Sequence, residues 1–274
     1  MVKVIKIGGK ILEDNAMLEY LCTGLSDCYP RCVVVHGGGS MAGQLASRLG
    51  IETRMHEGRR ITDRDTLDVT VMAYAGLANK KLVAGLQAKG VNACGISGCD
   101  MGVIRSHKRT AKEIDWGFVG DIEEVNAKVL ADLIENKIMP VLSPITFDRQ
   151  GQLLNTNADS VASAVAVALS RMYETELAFC MDKPGVLLDT MDNQSVIGEL
   201  DREGYHTYLS RGIIHSGMIP KLDNAFKTID AGVRCVRITN PYNLEGGTVI
   251  KGRKDPGSKT GTDRTGRNSS DTPE

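Results

Sequence analysis

The sequence is poor in features that would place it in a membrane, on nucleic acid or in a disulfide-stapled fold. No apolar run approaches the roughly 20 residues a helix needs to cross a bilayer. A strand-like run begins at Val2, which predicts no signal peptide. Neither sign of charge dominates. Against 34 Asp and Glu stand 33 Lys and Arg, a formal net charge of −1, so nothing electrostatic favours nucleic acid or an anionic membrane. The seven cysteines are an odd number, and none forms a C-x-x-C pair. They predict free, mostly buried thiols in a reducing cytosol, with a zinc site as the weaker alternative. Two nucleotide-binding signatures are missing: there is no G-x-x-x-x-G-K-[ST] and no G-x-G-x-x-G. No internal repeat is visible.

What is present fits a soluble globular protein. Apolar residues make up 42% and charged residues 24% of 274 positions, enough for one large domain or two closely integrated lobes. Strand-like and helix-like segments alternate along the chain. Strands are predicted at Val2–Ile7, Cys32–Val35, Asn92–Ser97, Gly102–Ser106, Gly117–Val125, Ile138–Leu142 and Leu177–Met181, with Arg234–Ile238 as the final core strand. Helical spacing covers Asp14–Leu25, the stretch from Ser40 to about Leu49, a long run Asp63–Lys89, Asn126–Asn136, Asn157–Arg171, Arg202–Arg211 and Pro220–Ala231. Gly50–Ile61 reads as a loop or hairpin. The helix from Asn157 is apolar almost all round, which predicts burial on several sides. This alternation implies an α/β fold with a mainly parallel sheet and helices on both faces. Residues 252–274 hold no large apolar side chain and read as a disordered polar tail.

Four clusters carry candidate chemistry. Lys6 ends the first strand and is followed by Gly8-Gly9, where open α/β sheets bind ligands and glycines let an anion approach the backbone. His36-Gly37-Gly38-Gly39-Ser40 places three glycines before a helix, where free N–H groups and the dipole favour an anion. His36 itself reads as a packing or hydrogen-bonding residue. Asn155-Thr156-Asn157-Ala158-Asp159 opens the most apolar helix, and either Asn157 or Asp159 could serve as its cap. Lys221 falls in the first turn of a helix, where the dipole disfavours a cation. An anionic ligand or a carboxylate such as Asp159 offers a reason, and a solvated lysine is the plainer alternative. Arg60 could fork onto a substrate carboxylate or simply lie on the surface.

The order and spacing of these clusters resemble the amino-acid kinase family, and within it the N-acylglutamate kinases. The matching runs are KIGGK, VVVHGGG, GRRIT, AGLANKKL, GFVGDIEEVN, NTNAD, MDKPGVL and GMIPK, spread from residue 6 to Lys221. The resemblance implies a three-layer α/β/α sandwich in residues 1–251, with an acylglutamate-binding lobe to about residue 175 and a nucleotide-binding lobe from about 176. It implies transfer of the γ-phosphoryl group of ATP, brought with Mg²⁺, to the γ-carboxylate of N-acetyl-L-glutamate. Lys6 and Lys221 are expected to neutralise charge on that group, with Asp159 holding both. Gly38, Gly39, Arg60 and Asn155 are expected to bind the acylglutamate. Gly8, Gly9, Asp182, Gly185, Val186, Leu187, Ile214, His215 and Gly217 are expected to meet the nucleotide and its phosphates. A resident metal site is not implied. A cytoplasmic, arginine-insensitive homodimer in arginine biosynthesis is.

One segment departs from the family pattern. In Ile96–Arg109, Cys99 and Met101 stand where small or polar residues are expected, and Arg105, His107, Lys108 and Arg109 add positive charge. If this segment borders the acyl pocket, a larger or more anionic acyl group such as succinyl is the alternative. Another small acid of the same superfamily is a further one.

Overall fold

A computed structural model describes residues 1–110, 113–215 and 217–252. The predicted tail lies outside the described residues apart from Gly252. Fourteen strands and eight α-helices are found among the described residues. In chain order the strands are β1 (Val2–Ile7), β2 (Cys32–His36), β3 (Arg54–His56), β4 (Arg59–Ile61), β5 (Ala93–Ile96), β6 (Ile104–Lys108), β7 (Gly120–Val125), β8 (Met139–Leu142), β9 (Ile145–Phe147), β10 (Leu153–Asn155), β11 (Thr175–Cys180), β12 (Glu199–Leu200), β13 (Cys235–Asn240) and β14 (Asn243–Ile250). The helices are α1 (Asn15–Cys28), α2 (Gly39–Arg48), α3 (Arg64–Val71), α4 (Asn79–Ala88), α5 (Ala127–Glu135), α6 (Ala158–Ser170), α7 (Arg202–Ser210) and α8 (Ile219–Asp230).

The main sheet has the order β12-β14-β13-β11-β1-β2-β8-β5. From β13 to β5 every neighbouring pair is parallel. Alternation along each strand divides the core in two. Val2, Val4, Val33, Val35, Leu177 and Phe179 face one side, where they pack with residues of α5, α6, α7 and α8. Ile5, Ile7, Val34, Ala178 and Cys180 face the other, against α1 and α4. The result is the expected α/β/α sandwich. Its parity also aims Lys6, which shares its face with Val2 and Val4 and so points toward α6 and α8.

Helix starts follow local chemistry. Asp14 accepts from the N–H of Ala16 and Met17 to cap α1, Asp63 accepts from Thr66 to cap α3, and Asp201 accepts from Gly204 to cap α7. Asn157, not Asp159, caps α6 by accepting from the Ser160 N–H at 3.0 Å, which leaves the Asp159 carboxylate free. α6 meets β1, β2, β7, β11, α5 and α8, as its all-round apolarity predicts.

Two expectations need correction. The run Asp63–Lys89 is helical, but Met72–Ala78 between α3 and α4 winds as a π-helix. Arg234–Ile238 does not end the sheet: β13 turns back as the antiparallel β14, and β12 pairs with β14 beyond it. The glycine pair Gly246-Gly247 hides β14 from a reading of periodicity. Gly247 has φ 87° and lies so close to the Ile238 carbonyl that a side chain there would collide. A four-stranded sheet, β10-β9-β6-β7, and the β3–β4 hairpin flank the sandwich. The hairpin turns through Glu57 and Gly58, both at positive φ.

Candidate active site

The two glycine loops leave neighbouring parallel strands, so they lie side by side at the carboxyl ends of β1 and β2. Gly8 N–H donates to the Cys180 carbonyl at 3.0 Å, and Gly37 N–H donates to the Ile7 carbonyl at 3.0 Å. These bonds tie each loop to the next strand. A methyl group on Gly9 would lie 3.2 Å from the Gly38 nitrogen, so the loops are as close as two backbones can pack. Gly38 precedes α2 and Gly39 opens it, where the first N–H groups have no intrahelical partner. Glu13 holds the arrangement from the side. Its Oε2 accepts from Ser40 Oγ and Gln44 Nε2, each at 3.1 Å, joining the segment after the first loop to the helix after the second.

Three charged side chains meet beside these loops. The Lys6 ammonium lies 2.8 Å from Asp159 Oδ1, and Lys221 donates to Asp159 Oδ2 at 2.9 Å. Among the described residues no donor meets Oδ1 in hydrogen-bond geometry, and the contact with Lys6 is an ion pair. The lysine side chains are only 16% and 15% exposed. Burial pushes the Asp159 carboxyl upward, but Lys6 and Lys221 outweigh it and hold the group below the usual carboxylate range. Lys221 also stands over the Phe179 ring at 4.7 Å.

Lys6, Gly9, Gly38, Gly39, Arg60 and Asn155 share the lining of one cavity of about 360 Å³. Arg60 Nη2 donates to the Gly39 carbonyl at 2.9 Å. Asn155 is buried and donates from Nδ2 to Thr62 Oγ1 at 3.0 Å. The far wall is formed by Tyr74, Arg109, Trp116 and the hairpin residues Met55 and Arg59. Of this wall the sequence reading singles out only Arg109, in the segment expected to border an acyl pocket. The members of the wall lie far apart in the chain and converge through the Thr62 backbone, which bonds to Trp116 and Phe118.

A second, narrower slot of about 80 Å³ is built from residues between 183 and 218. Gly185, Val186, Leu187, Ile214 and His215 line it, with Lys183 and Met218. Gly185 packs tightly: a methyl there would lie 2.8 Å from Thr248 Oγ1 and from Val196 Cγ1. Val186 N–H donates to Thr248 Oγ1 at 2.8 Å. Asp182 and Gly217 are exposed and lie outside this lining, and Gly8 lines neither space.

His36 is fully buried beneath the second loop. Its Nδ1 contacts the Gly37 carbonyl at 2.7 Å and its Nε2 contacts Asn79 Nδ2 at 3.1 Å. A neutral ring that donates from Nδ1 and accepts at Nε2 satisfies both. Burial is the main cause that lowers its pKa from 6.5 to about 4; the Gly37 hydrogen bond opposes this and Lys80 adds to it. The unfolded chain therefore binds a proton that the folded chain refuses between pH 6.5 and 4. Stability is complete above pH 6.5 and falls with acid by about 3 kcal/mol across that window. Urea denaturation of the intact protein at pH 7, 5.5 and 4 is expected to show this fall, and His36→Gln is expected to flatten it. An equal slope in the variant would contradict the assignment. Asp159, with its lowered pKa, adds a further loss only below its ordinary value of 3.8.

The unusual segment Ile96–Arg109 does not supply an unanswered cation to the cavity. Arg105 pairs with Glu123 and Glu124, and His107 with Glu123. Lys108 is exposed over the Phe118 ring. Arg109 alone of the four reaches the cavity wall, and its guanidinium is occupied by Asp121, with Nη2–Oδ1 at 2.5 Å. Cys99 and Met101 are exposed and outside the lining. The more anionic acyl group is therefore not favoured.

The amino acid kinase family matches residues 1–240 of the chain. Acetylglutamate kinase of Parabacteroides distasonis is 52% identical over 244 residues, covering 89% of this chain and 96% of that protein. Acetylglutamate kinase of Bacteroides fragilis is 50% identical over 250 residues, covering 90% and 96%. Among solved structures, Giardia carbamate kinase superposes with a TM-score of 0.65 at 12% identity, covering 92% of this chain and 99% of that one, a likeness of fold.

Proposed function

The chain belongs to the amino acid kinase family, and we propose that it transfers the γ-phosphoryl group of ATP to the γ-carboxylate of N-acetyl-L-glutamate, a step of arginine biosynthesis. The observation that carries this reading is the Asp159 carboxylate held between Lys6 and Lys221, with Lys6 lining the polar cavity. The acylglutamate occupies the cavity. Arg60 and Asn155 hold its amino-acid end, and the Gly38 and Gly39 backbone receives the reacting carboxylate. The adenine end of ATP takes the slot beside Gly185, Val186, Leu187, Ile214 and His215, with Asp182 and Gly217 at its margin. Gly8 and Gly9 border the phosphates. The lining supports a division of labour near residue 175: the cavity draws on residues 6–158 and the slot on residues 183–218.

A glutamate side-chain carboxylate is already ionised at pH 7, so no general base is needed. One carboxylate oxygen forms a bond to the γ-phosphorus as the bond to the bridging oxygen of ADP breaks, and ADP leaves with the electron pair. Alignment and charge neutralisation are then what the protein supplies. Lys6 reaches the transferring group from the end of β1 and Lys221 from the first turn of α8, while Asp159 keeps both ammoniums in place. Among the described residues no group of three His, Cys, Asp or Glu could cage a metal. Mg²⁺ in this reading enters as part of the substrate, held by phosphate oxygens, and lowers the charge that the lysines face.

Trapping the acyl phosphate as a hydroxamate tests the reading, with ATP and a panel of N-acetyl-L-glutamate, N-succinyl-L-glutamate, L-glutamate, L-aspartate and carbamate. N-acetyl-L-glutamate is expected to give the highest kcat/KM. A higher value with any other acid would displace it. A cytoplasmic homodimer completes the proposal. Sedimentation at twice the 29.6 kDa chain mass is expected.

A further inference from the structure

Tyr74 sits in the π-helical segment Met72–Ala78, in the middle of what is otherwise one long helix. A π-turn widens the helix and re-aims the side chains it carries, and such turns recur at functional sites. Here it directs an aromatic ring into the substrate cavity. The ring is buried against the second glycine loop. A methyl group on Gly38 would lie 2.7 Å from Tyr74 Cδ1, so the ring fixes the height of that peptide and requires glycine there. The hydroxyl end reaches the next residue, where a methyl on Gly39 would lie 3.8 Å from the phenol oxygen.

Arg60 approaches the same peptide from β4, with Nη2 2.9 Å from the Gly39 carbonyl. Arg60 and Tyr74 line the same cavity, and both approach the backbone of Gly39. Burial raises the phenol pKa and the facing Arg60 works against that rise. The hydroxyl therefore stays protonated at pH 7. A protonated phenol has its own hydrogen to donate. A guanidinium and a hydroxyl converging on one point form a seat for a carboxylate, with both groups donating.

We propose that Tyr74 is a substrate-binding residue that works with Arg60 to hold the α-carboxylate of the N-acylglutamate, while its ring sets the Gly38 peptide against the reacting γ-carboxylate. This assignment rests on the N-acylglutamate reading, and it goes beyond the residues that the family resemblance supplies. It makes Tyr74 a determinant of specificity for amino-acid derivatives over acids that lack the α-carboxylate.

The test compares the intact wild-type protein with Tyr74→Phe, using N-acetyl-L-glutamate and 4-acetamidobutanoate, which keeps the reacting carboxylate and the acetamido group but lacks the α-carboxylate. Tyr74→Phe is expected to raise KM for N-acetyl-L-glutamate about tenfold or more, the loss expected of one hydrogen bond to a charged group. kcat and the KM for ATP are expected to stay within twofold, and kcat/KM for 4-acetamidobutanoate is expected not to change. The preference for the α-carboxylate thus narrows about tenfold. An unchanged KM in Tyr74→Phe would overturn the assignment. So would equal losses with both acids, which mark a purely structural ring. Calorimetric titration of N-acetyl-L-glutamate into both proteins reads the same loss without turnover. Wild-type protein that neither binds nor phosphorylates N-acetyl-L-glutamate, while phosphorylating another acid, would instead overturn the substrate reading, and Tyr74 with it.

Discussion

Lys221→Ala is expected to lower kcat by about 10²–10³ while leaving KM for N-acetyl-L-glutamate within a few-fold, by analogy with removal of one transition-state donor. The size follows from how the ammonium is held. It stands in the first turn of α8, where the helix dipole opposes a cation, and it is only 15% exposed. The Asp159 carboxylate at 2.9 Å and the Phe179 ring at 4.7 Å offset both penalties. A cation held rigidly against its own helix needs no reorganisation when charge builds on the transferring phosphoryl group, which is where fixed charges act most strongly. KM is spared because Lys221 does not line the acylglutamate cavity. Lys221→Arg is expected to recover little, since a planar guanidinium cannot occupy the point position of an ammonium. Steady-state ADP release, with matched thermal unfolding as a control for folding, reads the effect. A folded Lys221→Ala protein within fivefold of the wild-type kcat would remove this lysine from the reaction.

The position of Lys6 was legible from strand parity alone. Val2 and Val4 mark the buried face toward α6, and Lys6 continues that face to the strand end. The glycines after β1 and β2 were legible as loops at one edge of the sheet, because parallel strands deliver their carboxyl ends together. The α6 start was legible only in part. Asn157 and Asp159 are equal candidates for its cap in one dimension, and the choice is made by the two lysines that claim Asp159 in three. Tyr74 and Trp116 were not legible, because no local pattern announces them, whereas Arg109 stood out as a charge in the unusual segment that ends at it. A π-turn has no residue signature, so Tyr74 reads as one more buried position in an amphipathic run. The Glu13 link to Ser40 and Gln44 spans about 30 residues and depends on how closely two backbones pack. β14 was hidden for a related reason: its glycines answer a close contact with Ile238, not a turn.

Asp159→Asn is expected to separate binding from turnover. In the free protein this carboxylate is the counter-ion of two ammoniums in a largely buried site, and its low pKa records how strongly they favour its charge. An asparagine keeps the shape and the acceptor oxygen but leaves two positive charges facing each other without an anion. Thermal stability without nucleotide is therefore expected to fall, because the uncompensated pair repels in a medium less polar than water. ATP brings the missing negative charge, so nucleotide affinity is expected to hold or rise, and saturating nucleotide is expected to restore more stability than it adds to wild type. Turnover moves the other way. The lysines lose the clamp that fixes their distance from the transferring group, and kcat is expected to fall by about 10–10², less than on losing a lysine outright. The opposed signs distinguish a clamp from a catalytic base: a lost base would lower kcat and leave nucleotide affinity alone. ATP titration by calorimetry beside kcat from pH 6 to 9 decides between them. Weaker nucleotide binding in a folded Asp159→Asn protein would refute the clamp.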